Sequence, residues 1–339
     1  MNKLNYDDVL IVPGYSEIET RKAISLTTKV TKRVGRSIPI LSAPMDTVTE
    51  STMAVTLGQL GGLGVIHRYM EYTKQVEQLR DVVELGVPVA AAIGVRNDWR
   101  ERAEMLAHWG ASVLVIDVAH AHHKLVFDAL RVLKSDSGFA CVDIMVGNIA
   151  TPVAAKELCD LGADGLRVGV GPGAHCTTRI ETGVGYPQLS AIKETAEVAD
   201  TYDVPVCADG GIRFAGDIVK ALAAGASSVM IGSLFAATEE SPGDIMMVGY
   251  GNNRKKVKEY RGMASYNAKI SDNRDSSHVE GISQFLPYRG PVGEIIKNLR
   301  DGIRSGLSYV GARDIEELQR KARFVEVSST ENHLPKMSM

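Results

Sequence analysis

The sequence predicts an α/β chain closed into a (β/α)8 barrel, a TIM barrel, and three observations carry that expectation. Eight apolar runs of strand length follow one another from Pro39: 39–43 (PILSA), 63–67 (LGVIH), 88–94 (PVAAAIG), 112–118 (SVLVIDV), 141–147 (CVDIMVG), 165–170 (GLRVGV), 204–209 (VPVCAD) and 227–232 (SSVMIG). Their hydrophobicity is nearly continuous rather than alternating, which suits parallel strands covered on both faces. Between them lie helix-length segments, three of which end in similar words before the next strand: WGASVLVIDV from Trp109, LGADGLRVGV from Leu161 and AGASSVMIGS from Ala224. The repeated glycine fits a left-handed helix cap, so one βα unit is reused along the chain. A doubly wound open sheet is the other arrangement of the same alternation.

Taken in order, residues 1–38 hold β-prone pieces at Val9 to Val12 and Ala23 to Thr28, then a basic stretch from Lys29 to Arg36, and read as an N-terminal cover. Within the repeat, Tyr72, Val76, Leu79 and Val83 share one helical stripe, and Asp98 with Glu101 forms a capping box. After the eighth strand, Glu239 to Pro291 is rich in glycine and charge and is expected to be irregular. A loop of that length is usually a lid or binding loop, and its middle, ISDNRDSSHVEGIS, is polar enough to be mobile. Two helical patterns, Val292 to Ser305 and Asp314 to Ala322, precede a polar tail. With no break in composition, residues 1–339 read as a single catalytic barrel domain with 239–291 as its flap.

A chain of 339 residues with 45% apolar content can bury a large core. Its net charge of −3, with both signs mixed throughout, leaves no electrostatic footprint for nucleic acid or an anionic membrane. Small molecules and copies of itself are the expected partners. The first residues lack the pattern of a secretory signal, and no apolar run approaches the ~20 residues that span a bilayer. The expected location is therefore the cytoplasm. Four cysteines, at 141, 159, 176 and 207, show no metal-binding spacing and are expected to be reduced thiols.

The chemistry points to the stretch from Gly169 to Ser190, GVGPGAHCTTRIETGVGYPQLS. Gly169, Gly171 and Gly173 let the backbone turn and approach a ligand, and Cys176 is then presented beside threonine hydroxyls. Such a cysteine is either a displayed nucleophile or a buried structural thiol. In a barrel, active sites gather at the C-terminal ends of the strands. That register brings Cys176, after the sixth strand, to the same mouth as Asp209, Gly210 and Gly211 after the seventh, and Gly232 and Ser233 after the eighth. Glycine amides and a serine hydroxyl suit a phosphomonoester, while Asp209 suits a ribose, so a phosphorylated nucleoside is the leading ligand. Taken alone, the ADGG element reads equally as a plain tight turn. Asp117 closes strand four, and His67 with Arg68, ending strand two, point to the mouth. The cluster of His120, His122 and His123 lacks a fourth ligand at metal spacing and reads as a cofactor contact or a solvated helix start.

Together these residues resemble the IMP dehydrogenase and GMP reductase family over nearly the whole chain. The motifs are SAPMDTVTE at 42–50, GGLGVIHR at 61–68, the GPGxxCTT loop, ADGGI at 208–212, MIGSLFAATEESPG at 230–243 and YRGMAS at 260–265. The resemblance implies that the cysteine attacks C2 of a purine nucleotide to give a thioimidate. In the dehydrogenase, hydride then leaves to NAD and water hydrolyses the adduct. In the reductase, ammonia leaves GMP and NADPH reduces the adduct to IMP.

Three features resemble the reductase. TRIETGVGYPQLSAI at 178–192 has the reductase wording; the flap position expected to hold the dehydrogenase's water-activating Arg-Tyr pair reads Arg274-Asp275; and no CBS modules are inserted. SAPMDTVTE, GGLGVIHR, SLFAATEESPG and YRGM read more like the dehydrogenase, so the chain is a mosaic.

By this resemblance Cys176 is the nucleophile, and Thr178 with Glu280 manages the protons that expel ammonia. Asp209, Gly210, Gly211, Gly232, Ser233, Tyr260, Arg261 and Gly262 would surround ribose and phosphate, and Met45, Met263 and Glu280 the base. Arg68, Asp117, Asn148, Gly169 and Gly171 would lie along the cofactor, NADPH with NADH not excluded. Carbonyls of Gly171, Gly173 and Cys176 would hold a monovalent cation such as K+, and the assembly would be a homotetramer. One departure stands out: the family usually has serine two residues before the cysteine, and here Ala174 and then His175 occupy the loop. A lost hydrogen bond to a charged phosphate is worth roughly 1.5–3 kcal/mol unless another group replaces it. Other readings of the same residues are a non-catalytic purine nucleotide sensor and a metal-dependent hydrolase built on the histidines.

Overall fold

Strand and helix alternation closes into a barrel because each strand is apolar on both faces and each following helix has one face to bury. The computed structural model describes residues 3–173, 176–249, 254–263 and 281–327. Ahead of the barrel lie three short strands, β1 (Val9–Ile11), β2 (Thr28–Lys29) and β3 (Gly35–Arg36). The barrel strands are β4 (Ile40–Ser42), β5 (Leu63–Ile66), β6 (Val89–Ile93), β7 (Val113–Asp117), β8 (Asp143–Ile149), β9 (Gly165–Val168), β10 (Val206–Asp209) and β11 (Ser228–Ile231). All neighbours pair in parallel, and β11 returns to β4 to close the ring. Each expected strand is present within two residues or so of its expected limits.

Alternate side chains face opposite ways along each strand. One set, including Leu41, Val65, Ala90, Val113, Met145 and Cys207, fills the barrel interior. The other packs outward under the helices α1 (Ser51–Gln59), α2 (Tyr72–Val83), α3 (Trp99–His108), α4 (Lys124–Ser135), α5 (Pro152–Asp160), α7 (Gln188–Asp200) and α8 (Ala215–Ala223), while the short α6 (Thr178–Thr182) buries no residue and follows the cysteine loop. The three repeated words end their helices as expected: Gly110, Gly162 and Gly225 have φ of 96°, 88° and 107°. A Cβ is strained at such angles, so glycine marks each turn into a strand.

Two local expectations need correction. Asp98 does precede α3, but its carboxylate makes no capping bond; it is held by Arg102, whose Nη2 donates to Oδ2 at 2.8 Å. An ionic partner one turn along outcompetes the backbone amides. The buried stripe of α2 runs through Gln75, Val76, Leu79 and Val82, with Val83 partly buried against the same core as expected and Tyr72 outside it. Gln75 is buried because its amide donates to the carbonyls of Ile66 and Ala92 and accepts from Arg102.

The residues ahead of the barrel serve both ends: Asn5 to Asp8 line the mouth, and the hairpin that follows closes the far end. The β2–β3 hairpin inserts fully buried Val30 into the interior cluster, and fully buried Thr31 donates to Asp143 Oδ2 at 2.7 Å. β1 pairs antiparallel with β15 (Phe324–Glu326), so part of the expected polar tail is a strand.

The segment after strand eight is also more regular than expected. Its described parts form an antiparallel sheet of β12 (Met246–Val248), β13 (Lys255–Arg261) and β14 (Ser283–Pro287). The sequence hides it because β12 is wholly exposed and β13 buries a lysine, Lys258, whose ammonium donates to the Thr238 carbonyl at 3.0 Å. The stretch expected to be mobile lies almost wholly outside the described residues, as do Glu280, Arg274, Asp275, Ala174 and His175. Helices at Val292–Val310 and Ile315–Lys321 follow, the first running five residues past its expected end.

Candidate active site

The ends of the eight strands open into one cavity of about 1650 Å³. That exceeds the roughly 300–1,000 Å³ of a site for one drug-sized ligand, so the mouth has room for two molecules side by side. Cys176, Thr178, Asp209, Gly210, Gly211, Gly232, Ser233, Tyr260, Gly262, Met263 and Met45 all line it, as do Arg68, Asp117, Asn148, Gly169, Gly171 and Gly173. Residues expected from eight separate stretches of sequence thus meet at one surface. Arg261 does not line it: its guanidinium forks onto Asp46, with Nε 3.0 Å from Oδ2. His67 is also turned away, buried against Glu50 at 3.3 Å. Of the histidine cluster, His122 lies on Glu157 at 2.9 Å with its ring edge-on to His120 at 6.2 Å between centroids, and His123 caps α4.

Cys176 is half-buried and its Sγ lies 3.2 Å from Thr178 Oγ1. Its amide donates to the Gly173 carbonyl at 3.1 Å, and its backbone bridges to Gly281, tying the loop to the flap sheet. The other cysteines are placed differently. Cys207 is fully buried in the barrel interior, where burial pushes its thiol up to about 12, and it stays protonated and unreactive.

Opposite the thiol, Tyr260 rises from β13 with 4% exposure, its Oη 3.8 Å from Met45 Sδ. Burial raises the phenol well above its usual range, so it stays a neutral donor. Gly232 sits beneath this pair: a Cβ there would lie 3.0 Å from Tyr260 Oη and 3.2 Å from Met45 Sδ. Gly169 leaves still less space, since a Cβ would fall 2.1 Å from the Asp209 carbonyl oxygen. The glycine is what lets the sixth and seventh βα loops touch.

Between these loops runs a buried polar layer whose centre the sequence reading missed. Arg167, on β9, is 4% exposed; it pairs with Asp117 Oδ1, donates to Asn148 Oδ1 and approaches Asp209 Oδ2 at 3.5 Å. Asn148 Nδ2 donates to Asp209 Oδ2 at 2.8 Å, and Arg68 Nε lies 3.5 Å from Asp117 Oδ2. Burial disfavours ionised Asp117, yet Arg167 and Arg68 overcome it and hold the carboxyl below the usual carboxylate range. For Asp209 burial wins: with Asp117 adding repulsion, its carboxyl is raised despite Arg167 and Asn148. The signal for Arg167 was a lone arginine in an otherwise apolar strand. Gln188, which donates to the carbonyls of Val168 and Asp209 at 2.9 and 3.1 Å, had no such signal.

A closed parallel barrel whose mouth gathers a loop-borne thiol, a buried tyrosine and two carboxylates around a two-ligand cavity defines a TIM-barrel enzyme acting on small molecules. The model of the IMP dehydrogenase / GMP reductase domain matches residues 3–333, and the chain belongs to that family of oxidoreductases. Inosine-5'-monophosphate dehydrogenase of Cryptosporidium parvum is 39% identical over 96% of this chain and 92% of its own. GMP reductase of Leishmania major is 32% identical over 96% of this chain and 94% of its own. Among solved structures, a cysteine-to-alanine variant of GMP reductase from Trypanosoma brucei, in complex with guanosine 5'-monophosphate, superposes with a TM-score of 0.93 at 32% identity. That match covers 98% of this chain and 97% of the other.

Proposed function

We propose that this chain is a GMP reductase, converting GMP to IMP and ammonia at the expense of NADPH. The observation that carries the reading is the segment behind Cys176, TRIETGVGYPQLS, whose reductase-like wording builds this site. Thr178 meets the thiol at 3.2 Å, Arg179 donates to the Tyr186 carbonyl across the turn, and Gln188 fastens the Asp209 backbone. Likeness to a GMP reductase carrying GMP supports the same substrate.

In this reading the purine lies with C2 over Cys176, between Met45 and Met263. Asp209 accepts from the ribose hydroxyls, while amides of Gly210, Gly211, Gly232 and Ser233 with Tyr260 Oη hold the phosphate. The thiolate bonds to C2, and ammonia departs once the amine gains a proton. Thr178 Oγ1 is placed to pass that proton, with Glu280 as its source. Asp117, Asn148, Arg68, Gly169 and Gly171 form the adjoining wall, and the cavity is large enough for a dinucleotide. NADPH bound there would supply the hydride that C2 receives as the thiol is released; NADH is the second cofactor to test. Carbonyls of Gly171, Gly173 and Cys176 are oxygen donors suited to K+, and Gly173 keeps one lone pair beyond its bond to the Cys176 amide. We extend the reading to a homotetramer in the cytoplasm.

The test follows absorbance at 340 nm. GMP-dependent loss of NADPH is the expected result; NADH formation from IMP with NAD, and none of the former, would sink the reading. That outcome is the second reading, an IMP dehydrogenase, favoured by the 39% identity to the C. parvum enzyme and by SAPMDTVTE and GGLGVIHR. A further expectation concerns Gly232→Ala. The Cβ crowds Tyr260 Oη and Met45 Sδ, so GMP affinity should fall about tenfold, or ~1.4 kcal/mol, by isothermal titration.

A further inference from the structure

Two carboxylates that the proposed function assigns to different ligands, Asp209 to ribose and Asp117 to cofactor, share one buried counter-ion. Arg167 reaches Asp117 through Nη2 and, through Nε, faces Asn148 and Asp209. Its remaining terminal nitrogen, Nη1, lies 3.6 Å from Met230 Sδ. Packing fixes the arginine: a Cβ on Gly147 would fall 2.4 Å from Arg167 Cβ, so the neighbouring strand is bare to admit it. A buried guanidinium is always charged and cannot move to suit one partner without leaving the other.

We propose that Arg167 is the positioning residue common to both subsites, holding Asp209 and Asp117 as one electrostatic unit so that the charge on one sets the readiness of the other. This rests on the assignment of Asp209 to the nucleotide. The groups facing Asp209 are Arg167 and Asn148, which favour its ionised form, and Asp117, which opposes it. Tyr260, Tyr6 and Cys207 also feel its charge, and all three are kept neutral by burial. Removing the arginine leaves an already raised carboxyl with a repelling neighbour and only an amide in support, so its titration must move upward. Removing the Asp117 charge must move it downward, because the repulsion goes and Arg167 remains. An ionised Asp209 accepts from the ribose, so nucleotide affinity should weaken as pH falls through that midpoint.

The experiment titrates GMP binding against pH by calorimetry in the wild type, Arg167→Met, Arg167→Lys and Asp117→Asn. In Arg167→Met the midpoint should rise by about one pH unit or more, a tenfold change in binding at a fixed pH below it. In Asp117→Asn it should fall, and Arg167→Lys should lie between wild type and Arg167→Met. A loss of packing alone would weaken binding without moving the midpoint, and would not give opposite signs in the two variants. Midpoints that stay put, or that move the same way, overturn the proposal. Should Arg167→Met fail to fold, Arg167→Lys and Asp117→Asn carry the same test. Wild-type protein that binds neither GMP nor IMP would instead overturn the proposed function, which separates the two failures.

Discussion

Cys176→Ala is expected to abolish turnover, by at least about 10⁴-fold, while leaving GMP affinity within about tenfold. Alanine removes the sulfur that bonds to C2 but none of the groups proposed to hold ribose and phosphate. Those groups sit on the seventh and eighth βα loops and on β13, in elements that do not rest on the thiol. The pairing of lost rate with kept affinity is the diagnostic, because a collapsed loop would lose both. Initial rates at 340 nm and calorimetric titration of GMP check the two halves. Unchanged turnover would remove Cys176 from the chemistry and revive the reading of a structural thiol. It would also leave no use for the 3.2 Å approach of Thr178 Oγ1.

The second large effect falls on stability and lies at the opposite end of the barrel. Asp143→Ala should cost about 3 kcal/mol, read as a lower midpoint in urea with an unchanged slope. Asp143 is 1% exposed and accepts from Thr31 Oγ1 at 2.7 Å and from the Arg33 amide at 2.8 Å, besides pairing with the Arg33 guanidinium. The guanidinium is half-exposed and can return to water, so the charge pair contributes little of this. The cost comes from the Thr31 hydroxyl, fully buried with its acceptor gone. A variant as stable as wild type would mean that water or another acceptor replaces the carboxylate. Because the barrel mouth is remote from Asp143, catalytic constants measured well below the melting transition should not change.

Much of the barrel could be read directly from the chain. Each strand is apolar on both faces, and Gly110, Gly162 and Gly225 mark the turns into strands with a conformation few other residues tolerate. Those are local properties, so they survive in one dimension. The gathering of Cys176, Asp209 and Gly232 was legible for a related reason: in a parallel barrel every strand's C-terminal end reaches the same face. What failed to show were residues whose meaning depends on a partner far along the chain. Asp98 looks like a cap until Arg102 takes its carboxylate, and His67 looks like a mouth residue until Glu50 draws it inward. The β12–β14 sheet was missed because its strands are largely exposed and one buries a lysine, which removes the hydrophobic alternation that would announce them.

The sequence by itself determined the order of strands and helices, the end of the barrel where chemistry belongs, and the thiol displayed there. Only the tertiary structure decided that Arg167, an isolated charge in an apolar strand, lies beneath the mouth and joins Asp117 to Asp209. The physical reason is that a strand's periodicity records which face a side chain takes, whereas a buried charge is defined by partners that closure of the barrel brings in from other strands.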